Sequence, residues 1–419
     1  MRVVSDQPWS GRRLHVLGVG GAGMSAYALA AAALGATVTG SDQADSPYAR
    51  AVREAGIAVT IGHDAANLPD PAGLEVVVST AIPADNPERV AAQARGIPVL
   101  SRAQLLAQLT AMRKTIAVAG AHGKTTTSSM VAHVLLACGL DPGYLIGGVL
   151  RTTGANGAWG TGEWLVVEAD ESDGSFLDLD VELAVVTNIE LDHHARWGSL
   201  EELQTAFARF EAQARRVVTW SEPDDVVLSD GGSTFSWRGQ TVRLAVPGVH
   251  NVRNATAALE AAALAGVDPG RAAEAIATFS GAGRRFERLG HTSTGALVID
   301  DYAHHPTEVA ATIAAARTLG GVARVVAIFQ PHLYSRTREL AAEFGAALAT
   351  ADVAYVLDVY PARERAEDFP GVSGATIPGP IFTPTFADAR AALDAGPGDV
   401  VLVMGAGDVR TLAQDLTAR

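Results

Sequence analysis

One short segment of this 419-residue chain has the residue types and spacing of a phosphate-binding site. Residues 115–127 read as an apolar strand, then the turn Gly-Ala-His-Gly, then the start of a helix. Backbone N–H groups at Gly120 and Gly123 and the positive end of the helix would face an anion. Lys124, one of two lysines in the chain, can reach β and γ phosphate oxygens, and the Thr125 hydroxyl can bind Mg²⁺. The segment therefore predicts ATP binding by the residues of the turn and the first helical turn, which are Gly120, Ala121, His122, Gly123, Lys124, Thr125 and Thr126.

The match to the G-x-x-x-x-G-K-[ST] pattern is imperfect, because Val118 stands where the first glycine is expected. The form present is the shorter G-x-x-G-K-T. A glycine-rich strand-to-helix turn followed by an ordinary surface lysine is the alternative. The strand before the turn and the helix after it favour the phosphate loop.

A second glycine turn lies near the start of the chain, where an apolar strand leads into Gly18-x-Gly20-x-x-Gly23 and an alanine-rich helix. Asp42 follows about twenty residues past the loop, where an acidic residue meets a ribose hydroxyl in dinucleotide-binding folds. The pattern by itself indicates only that a diphosphate approaches a helix N-terminus. NAD and a nucleotide sugar therefore both remain open as ligands.

Two apolar strands in the middle of the chain finish in polar clusters, over residues 168–173 and 188–194. Ligands of open parallel sheets bind at the carboxyl ends of strands, which is where these clusters fall. Glu168 is placed to approach a phosphate-bound Mg²⁺. Mg²⁺ prefers oxygen, so His193 could instead hold a water, polarise a phosphate or bind a softer divalent ion. The alternative is a solvated acidic strand end that caps helices.

Two further residue pairs could contact a nucleotide. Asn251 and Asn254 are one helical turn apart and could present amides to an adenine edge, although either could be an N-cap. Arg284 and Arg285 could clamp phosphate, although tandem arginines more often pair with surface carboxylates. Later strands end in polar segments at residues 301–305, 330–336 and 405–408.

The elements that must position these residues are alternating apolar strands and alanine-rich helices, which predict an α/β fold of parallel sheets. The pattern falls into three blocks, which we place at residues 1–112, 113–281 and 282–419. A composition of 48% hydrophobic and 19% charged residues indicates a soluble globular chain. The net charge of −14 argues against binding to nucleic acid or an anionic membrane. We expect a cytoplasmic protein, because no apolar stretch is long enough to span a membrane and Cys138 is the single cysteine.

Together these segments resemble the Mur ligase family of ATP-dependent amide-forming enzymes. The resemblance covers essentially the whole chain, and its segments are, in order, residues 15–25, 120–126, 168–176, 187–190 with Asp192 and His193, 247–257, 283–286, 300–308 and 329–332. It implies the three-domain Mur ligase architecture: a Rossmann-like N-terminal domain that holds a UDP sugar, a central P-loop ATPase-like domain, and a Rossmann-like C-terminal domain that closes over the nucleotide.

The resemblance also implies a reaction of peptidoglycan precursor synthesis. ATP, with Mg²⁺ or alternatively Mn²⁺ as the metal, would phosphorylate the lactyl carboxylate of UDP-N-acetylmuramate. The amine of L-alanine would then attack the acyl phosphate, which gives an amide, ADP and phosphate. The first glycine turn would bind UDP and not NAD. We expect a monomer or a homodimer that neither binds nucleic acid nor inserts into a membrane.

By motif match, the resemblance assigns roles to individual residues. The expected catalytic residues are Lys124, Glu168, His193 and Arg285, and the expected metal ligands are Thr125, Glu168 and His193. The expected nucleotide contacts outside the phosphate loop are Asn251, Asn254, Arg285 and Asp301. The expected substrate-side residues are Gly20, Gly21, Gly23, Asp42 and His305. The candidates for the base that accepts the amine proton are His193, His304 and His305.

The chain departs from the family pattern in two places. Family members often have Asp-His-x-Asp-x-Tyr where this chain has Asp-His-His-Ala-Arg-Trp at residues 192–197, so Ala195 and Trp197 replace an aspartate and a tyrosine. Several Mur ligases use a carbamylated lysine to support Mg²⁺, but no lysine follows Lys124 in this chain. A carbamate mechanism from the rest of the central domain is therefore excluded.

Two rival functions share these motifs. A recycling ligase would join a preformed peptide to the same UDP sugar and would differ only in its amine pocket. A nicotinamide oxidoreductase or a nucleotide-sensing regulator would instead bind NAD at the first glycine turn.

Overall fold

The structure is a computed structural model that describes residues 7–191, 196–223 and 225–418. The chain divides into two units. The first unit extends to Ser221 and resumes over Asn254–Ala275, and the second comprises Glu222–Arg253 and the chain from Ile276 onward. Helices α7 (Val249–Leu264) and α8 (Pro269–Ile276) lie where these divisions fall.

The first sheet of the first unit has five parallel strands in the order β3-β2-β1-β4-β5. Its strands are β1 (Arg13–Leu17), β2 (Thr37–Asp42), β3 (Ala58–Ile61), β4 (Leu74–Val78) and β5 (Val99–Ser101). Its helices are α1 (Ala22–Ala33), α2 (Pro47–Glu54), α3 (Pro87–Ala94) and α4 (Arg102–Thr110). Strand order reverses between β1 and β4, so the glycine turn after β1 lies at the switch point where such sheets bind ligands.

The second sheet of this unit has six strands in the order β11-β10-β6-β9-β7-β8. Its strands are β6 (Lys114–Ala119), β7 (Gly143–Leu150), β8 (Ala155–Ala158), β9 (Trp164–Glu168), β10 (Leu183–Val186) and β11 (Arg216–Thr219), and its helices are α5 (Lys124–Ala137) and α6 (Leu200–Gln213). All pairs are parallel except β7 with β8. Strand β6 lies between β9 and β10, so the two polar clusters flank the phosphate loop.

Helix α1 of the first sheet packs against strand β8 of the second. The Asn156 side chain donates to the Ala22 carbonyl at 2.5 Å and to the Ser25 hydroxyl at 2.9 Å. A Cβ at Gly157 would lie 2.7 Å from the Cα and Cβ of Ala26, so glycine permits this close approach. The first turn of α1, which follows the glycine turn, is therefore fixed against the sheet that carries the phosphate loop.

The second unit contains a small antiparallel sheet and a six-stranded sheet. The small sheet consists of β12 (Val227–Ser229), β13 (Gly232–Trp237) and β14 (Gln240–Leu244). The larger sheet has the order β15-β16-β20-β17-β18-β19, in which only β15 is antiparallel to its neighbour. Its strands are β15 (Glu287–His291), β16 (Leu297–Asp301), β17 (Arg324–Phe329), β18 (Val353–Val356), β19 (Ile381–Phe382) and β20 (Asp399–Met404), and the helices are α9 (Pro306–Ala316), α10 (Tyr334–Leu348), α11 (Phe386–Ala392) and α12 (Arg410–Thr417).

Strand β17 illustrates why this sheet reads as continuous apolar runs in the sequence. Val325, Ala327 and Phe329 join one buried cluster, while Val326 and Ile328 join another on the opposite face. A strand that is buried on both faces has no polar side to alternate with.

The predicted α/β class is confirmed, and the strands expected from apolar runs are present. The sequence patterns did not predict the β12–β14 sheet or the antiparallel strands β8 and β15. Among the described residues, no helix is both long enough and apolar enough to cross a membrane.

Candidate active site

The phosphate loop connects β6 to α5, and two of its glycines have backbone angles that other residues rarely adopt. Gly120 has φ +138° and Gly123 has φ +81°. A Cβ at Gly120 would also lie 2.8 and 2.9 Å from the backbone oxygen and nitrogen of Asn188. Glycine is therefore required at Gly120 by conformation and by space. Lys124 begins α5, so its N–H group belongs to the positive end of the helix.

Two residues that follow strand β10 hold the phosphate loop. The Asn188 side chain accepts from the His122 backbone N–H at 3.1 Å and donates to the His122 carbonyl at 3.0 Å. The Asn188 carbonyl accepts from the Ala121 N–H at 3.2 Å. The Thr187 hydroxyl donates to the His122 carbonyl at 2.6 Å. The loop is thus fixed by the neighbouring strand. Asn188 belongs to the polar cluster expected at the end of that strand, whereas only the family motif signalled Thr187.

Lys124 forms an ion pair with Glu171, a carboxylate that sequence reasoning did not single out. The ammonium lies 2.8 and 3.1 Å from the two carboxylate oxygens and donates to the Gly120 carbonyl at 2.5 Å. The Lys124 and Glu171 side chains are 16% and 2% exposed. Burial alone would lower the pKa of Lys124, but the charges of Glu171 and Asp170 outweigh burial and raise it. Lys124 therefore stays charged within its own loop.

Arg102, the first residue of α4, links the first sheet to the acidic segment after β9. Its guanidinium lies 2.7 Å from the Asp170 carboxylate and 3.2 Å from that of Asp173. Burial alone would raise the pKa of Asp170, but the charges of Arg102 and Lys124 hold it below its usual range. Tyr27 of α1 is buried near the same charges, and burial raises its pKa to about 12. The positive charge of Arg102 therefore balances the negative charges of Asp170 and Asp173, which lie on either side of Glu171 in the sequence.

The predicted metal ligands Thr125 and Glu168 both belong to the carboxyl edge of the second sheet. Thr125 lies in the first turn of α5 and is buried. Glu168 ends β9, and its carboxylate accepts from the Gly147 N–H at 2.6 Å. A hydroxyl and a carboxylate are oxygen donors of the kind that Mg²⁺ takes, so the residues present fit this ion. His193 lies outside the described residues, as do the rest of residues 192–195.

The two predicted adenine contacts have other partners in the structure. In the first unit, the Asn254 side-chain oxygen accepts from the Thr127 hydroxyl at 3.1 Å and would lie 2.5 Å from a Cβ at Gly123. Asn254 thus bonds the first turns of α5 and lies close to the loop glycine that precedes this helix. In the second unit, the Asn251 amide donates to the Pro247 carbonyl at 2.7 Å. Contact of either residue with adenine stays a prediction.

The first glycine turn is held by the last two residues of β2. The Ser41 carbonyl accepts from the Gly18 N–H at 2.9 Å and from the Val19 N–H at 3.1 Å. The Asp42 carboxylate accepts from the Gly20 N–H at 2.8 Å. Three successive amides of the turn are therefore fixed by β2.

The structure places the other predicted substrate-side glycines at the start of α1. Gly21 is the N-cap residue, and Gly23 lies in the first helical turn. The second carboxylate oxygen of Asp42 accepts from the Ala44 N–H at 3.1 Å. In this structure Asp42 thus orders the turn, and its contact with a ribose stays a prediction.

A buried carboxylate lies behind this turn. Glu88 has no exposed side-chain surface, and its oxygens are within 2.8 to 3.0 Å of four polar groups, those of His15, Ser41, His63 and Asn67. Burial alone would raise the pKa of Glu88, but these hydrogen bonds lower it to about 2. Ser41 connects this network to the turn, because its carbonyl holds two of the turn amides.

In the second unit, Arg285 and Asp301 are brought together with Tyr302. The guanidinium carbons of Arg284 and Arg285 lie 4.8 and 5.0 Å from the centre of the Tyr302 ring. The Asp301 carboxylate accepts from the Phe286 N–H at 2.7 Å. Burial raises the pKa of Asp301 to about 6, against the charge of Arg285.

Two of the three candidate bases lie at the start of α9. His305 is the N-cap residue, is buried, and its Nδ1 accepts from the Thr307 N–H at 3.4 Å. The His304 Nδ1 lies 3.0 Å from the Tyr302 carbonyl and 3.2 Å from the Glu308 carboxylate. His304 thus has both a backbone and a carboxylate oxygen beside its Nδ1.

Sequence models of a single family match most of the chain. The Mur ligase family catalytic domain matches residues 13–114, the Mur ligase middle domain matches residues 118–227, and the Mur ligase glutamate ligase domain matches residues 284–407.

Curated proteins and solved structures are similar over nearly the full length. The UDP-N-acetylmuramate–L-alanine ligase of Paenarthrobacter aurescens is 44% identical, with 95% of this chain and 94% of the relative covered. The enzyme of the same name from Kineococcus radiotolerans is 45% identical, with 96% and 95% covered. The crystal structure of the Thermotoga maritima UDP-N-acetylmuramate–alanine ligase has a TM-score of 0.83 at 29% identity and covers 96% of this chain and 98% of that chain. A murein peptide ligase from Psychrobacter arcticus has a TM-score of 0.72 at 25% identity, with 98% and 100% covered.

Proposed function

Because this chain belongs to the Mur ligase family, we propose that it is the ATP-dependent ligase that joins L-alanine to UDP-N-acetylmuramate in peptidoglycan precursor synthesis. Relatives named for this activity are 44 and 45% identical over almost the whole chain. Family membership sets the oxidoreductase and regulator alternatives aside. The recycling ligase is the remaining rival, and it differs in the amine that it accepts.

The observation that carries the proposal is the phosphate loop of residues 120–126. A charged Lys124, a strand-anchored glycine turn and the positive end of α5 are the groups that phosphoryl transfer from ATP requires. In the proposed first step, a lactyl carboxylate oxygen attacks the γ phosphorus of ATP, and ADP leaves with the bonding electron pair. Both reactants are anions, so the step needs fixed cations that neutralise and align them. Lys124 supplies one such charge, and Arg285 is the proposed second.

In the proposed second step, the neutral amine of L-alanine attacks the carbonyl carbon of the acyl phosphate. An amide C–N bond forms, phosphate leaves, and the amine proton passes to a base. The candidates for this base are His193, His304 and His305.

Mg²⁺ is the metal that fits this site. The Thr125 hydroxyl and the Glu168 carboxylate would hold it, with His193 as the further family-derived ligand. When bound, it would shield the charge of the β and γ phosphates. Mn²⁺ accepts the same oxygen donors and is the alternative metal.

The other assignments follow from the proposed reaction. Gly20, Gly21, Gly23 and Asp42 would bind the UDP sugar, with His305 as a further substrate residue. Asn251, Asn254, Arg285 and Asp301 would contact the nucleotide. We place the domain boundaries after residues 112 and 281. The monomeric or homodimeric state and the cytoplasmic location stay predictions.

Release of phosphate tests the proposal, with ATP and Mg²⁺ present and UDP-N-acetylmuramate and L-alanine added singly and together. Release that requires both compounds and is lost in Lys124→Ala would support the proposed ligase. Release that ignores L-alanine but responds to the tripeptide L-alanyl-γ-D-glutamyl-meso-diaminopimelate would instead identify the recycling ligase. No response to the UDP sugar would contradict both.

A further inference from the structure

The pairing of Lys124 with Glu171 poses a problem for nucleotide binding. The Lys124 ammonium is already within 2.5 to 3.1 Å of the Gly120 carbonyl and both Glu171 carboxylate oxygens. A phosphate group that takes up Lys124 must therefore replace at least part of this pairing. The replacement has a cost, because Glu171 is only 2% exposed and water cannot readily solvate the carboxylate that is left.

Glu171 cannot easily follow Lys124, because its backbone is held on several sides. The Trp197 indole N–H donates to the Glu171 carbonyl at 3.0 Å, and the Gly174 N–H donates to the same oxygen at 3.2 Å. The carboxylate of the preceding residue, Asp170, lies 2.7 Å from the Arg102 guanidinium and accepts a hydrogen bond from the Ser172 N–H at 3.0 Å. Trp197 stands where the family often has tyrosine, and here its indole is used to fix the segment that carries Glu171.

From this geometry we infer that Glu171 is a positioning residue that holds Lys124 within the phosphate loop and competes with the phosphates of ATP for it. The inference rests on the proposed function, since it concerns the same nucleotide site. Glu171 would keep the lysine charged and oriented, at the cost of weaker nucleotide binding. Removing its charge should therefore strengthen binding of the nucleotide, which is the opposite of what loss of a supporting contact would do.

The test is a double-mutant cycle read by calorimetric titration of ATP in the presence of EDTA, so that neither turnover nor a metal contributes. Glu171→Gln keeps the size of the side chain and one acceptor oxygen, but it replaces the other oxygen that Lys124 contacts with an NH₂ donor and removes the charge that attracts Lys124. We expect it to lower the dissociation constant of ATP about tenfold relative to the unmodified chain. In a Lys124→Ala background the same change should alter the constant less than twofold, because the competition is gone.

Asp173→Asn is the matched control. It removes a carboxylate from the same segment, but Asp173 pairs with Arg102 and accepts from the Ser175 N–H. If carboxylates near the site simply repel ATP, Asp173→Asn should also lower the dissociation constant of ATP. Glu171→Gln should then lower it in the Lys124→Ala background too. Either result, or unchanged or weaker binding by Glu171→Gln, would overturn the inference. If the unmodified chain binds no ATP in EDTA and none when Mg²⁺ is restored, the proposed function fails and not only the role of Glu171. Binding that appears only with Mg²⁺ would overturn the inference alone, because a metal-free contest between Glu171 and ATP for Lys124 would then not occur.

Discussion

The first unit contains two turns of the same construction, and they differ in charge. In both, a buried parallel strand ends in a glycine turn that opens a helix, and the neighbouring strand fixes the turn. At the first turn, the Ser41 carbonyl and the Asp42 carboxylate accept hydrogen bonds from three backbone N–H groups, so a negative charge contacts the turn. At the second turn, the uncharged side-chain amide of Asn188 bonds the backbone N–H and carbonyl of His122, and Lys124 adds a positive charge.

The difference indicates a division of work between the turns. Both turns open a helix, whose N-terminus is a place where a diphosphate would bind. Only the second contributes a positively charged side chain, which is what transfer of a phosphoryl group between two anions needs. We therefore expect changes at the first turn to affect the UDP sugar and changes at the second to affect ATP and the rate.

The largest effect is expected from Lys124→Ala. Loss of one cation from a phosphoryl-transfer site should lower kcat by about 10³-fold. The variant should also melt at a lower temperature, because the buried Glu171 carboxylate loses its ion pair with Lys124. Steady-state phosphate release measures the first effect and a thermal melt the second.

The other lysine provides the control for this experiment. Lys114 is 51% exposed and pairs with the exposed Glu163. Lys114→Ala should retain the kcat and the melting temperature, because exposed ion pairs contribute little. A comparable loss of rate in both variants would contradict the role assigned to Lys124.

The second largest effect is expected when a glycine of the phosphate loop is replaced by alanine. Gly120→Ala combines φ +138° with a clash against the Asn188 backbone, and should cost at least about 2 kcal/mol of stability and most of the ATP affinity. Gly21→Ala is the comparison at the first turn. A Cβ there would lie 3.4 Å from the Gly18 carbonyl, and the N-cap φ of −79° suits alanine. Gly21→Ala should keep ATP affinity, and similar losses of ATP affinity in both variants would break the comparison.

The buried Glu88 network should make the stability of the chain fall in acid. The pKa of Glu88 is about 2 in the folded chain against an ordinary 4.5, so its contribution to stability is complete above pH 4.5 and is lost as pH falls toward 2. The shift corresponds to about 3 kcal/mol. Glu88→Gln should remove this contribution, so that the difference in free energy of unfolding from the unmodified chain shrinks between pH 4.5 and 2. Chemical denaturation across this range measures it, and a difference that does not vary with pH would contradict the assigned pKa.

The smallest effect is expected where the two sheets join. Asn156→Ala removes the bonds to the Ala22 carbonyl and the Ser25 hydroxyl, which anchor the start of α1. Misplacement of the first turn should raise the KM for the UDP sugar by about tenfold, with the KM for ATP within twofold. An equal rise in both KM values would indicate that Asn156 supports the whole unit and not the first turn alone.

Both glycine turns could be predicted from the sequence, because strand, turn and helix are adjacent in the chain and glycine marks positive φ. Their partners could not be predicted by spacing. Asn188 and Glu171 reach the phosphate loop only through strand pairing and loop packing, and Arg102 approaches from a different sheet. The expected contact of Asp42 with a ribose hydroxyl came from folds with a bound dinucleotide. In this structure the Asp42 carboxylate accepts a hydrogen bond from the Gly20 N–H of the turn. The β12–β14 sheet was missed because its short strands have no helices between them.

Hydrogen exchange of the backbone amides measures the division between the two turns most directly. UDP-N-acetylmuramate should slow exchange more in residues 18–25 than in residues 118–127, because its diphosphate is assigned to the first turn and only its lactyl carboxylate approaches the second. ATP in EDTA should slow exchange in residues 118–127 and leave residues 18–25 unchanged. Protection of residues 18–25 by ATP, or of residues 118–127 alone by the UDP sugar, would contradict the assignment of one turn to each ligand.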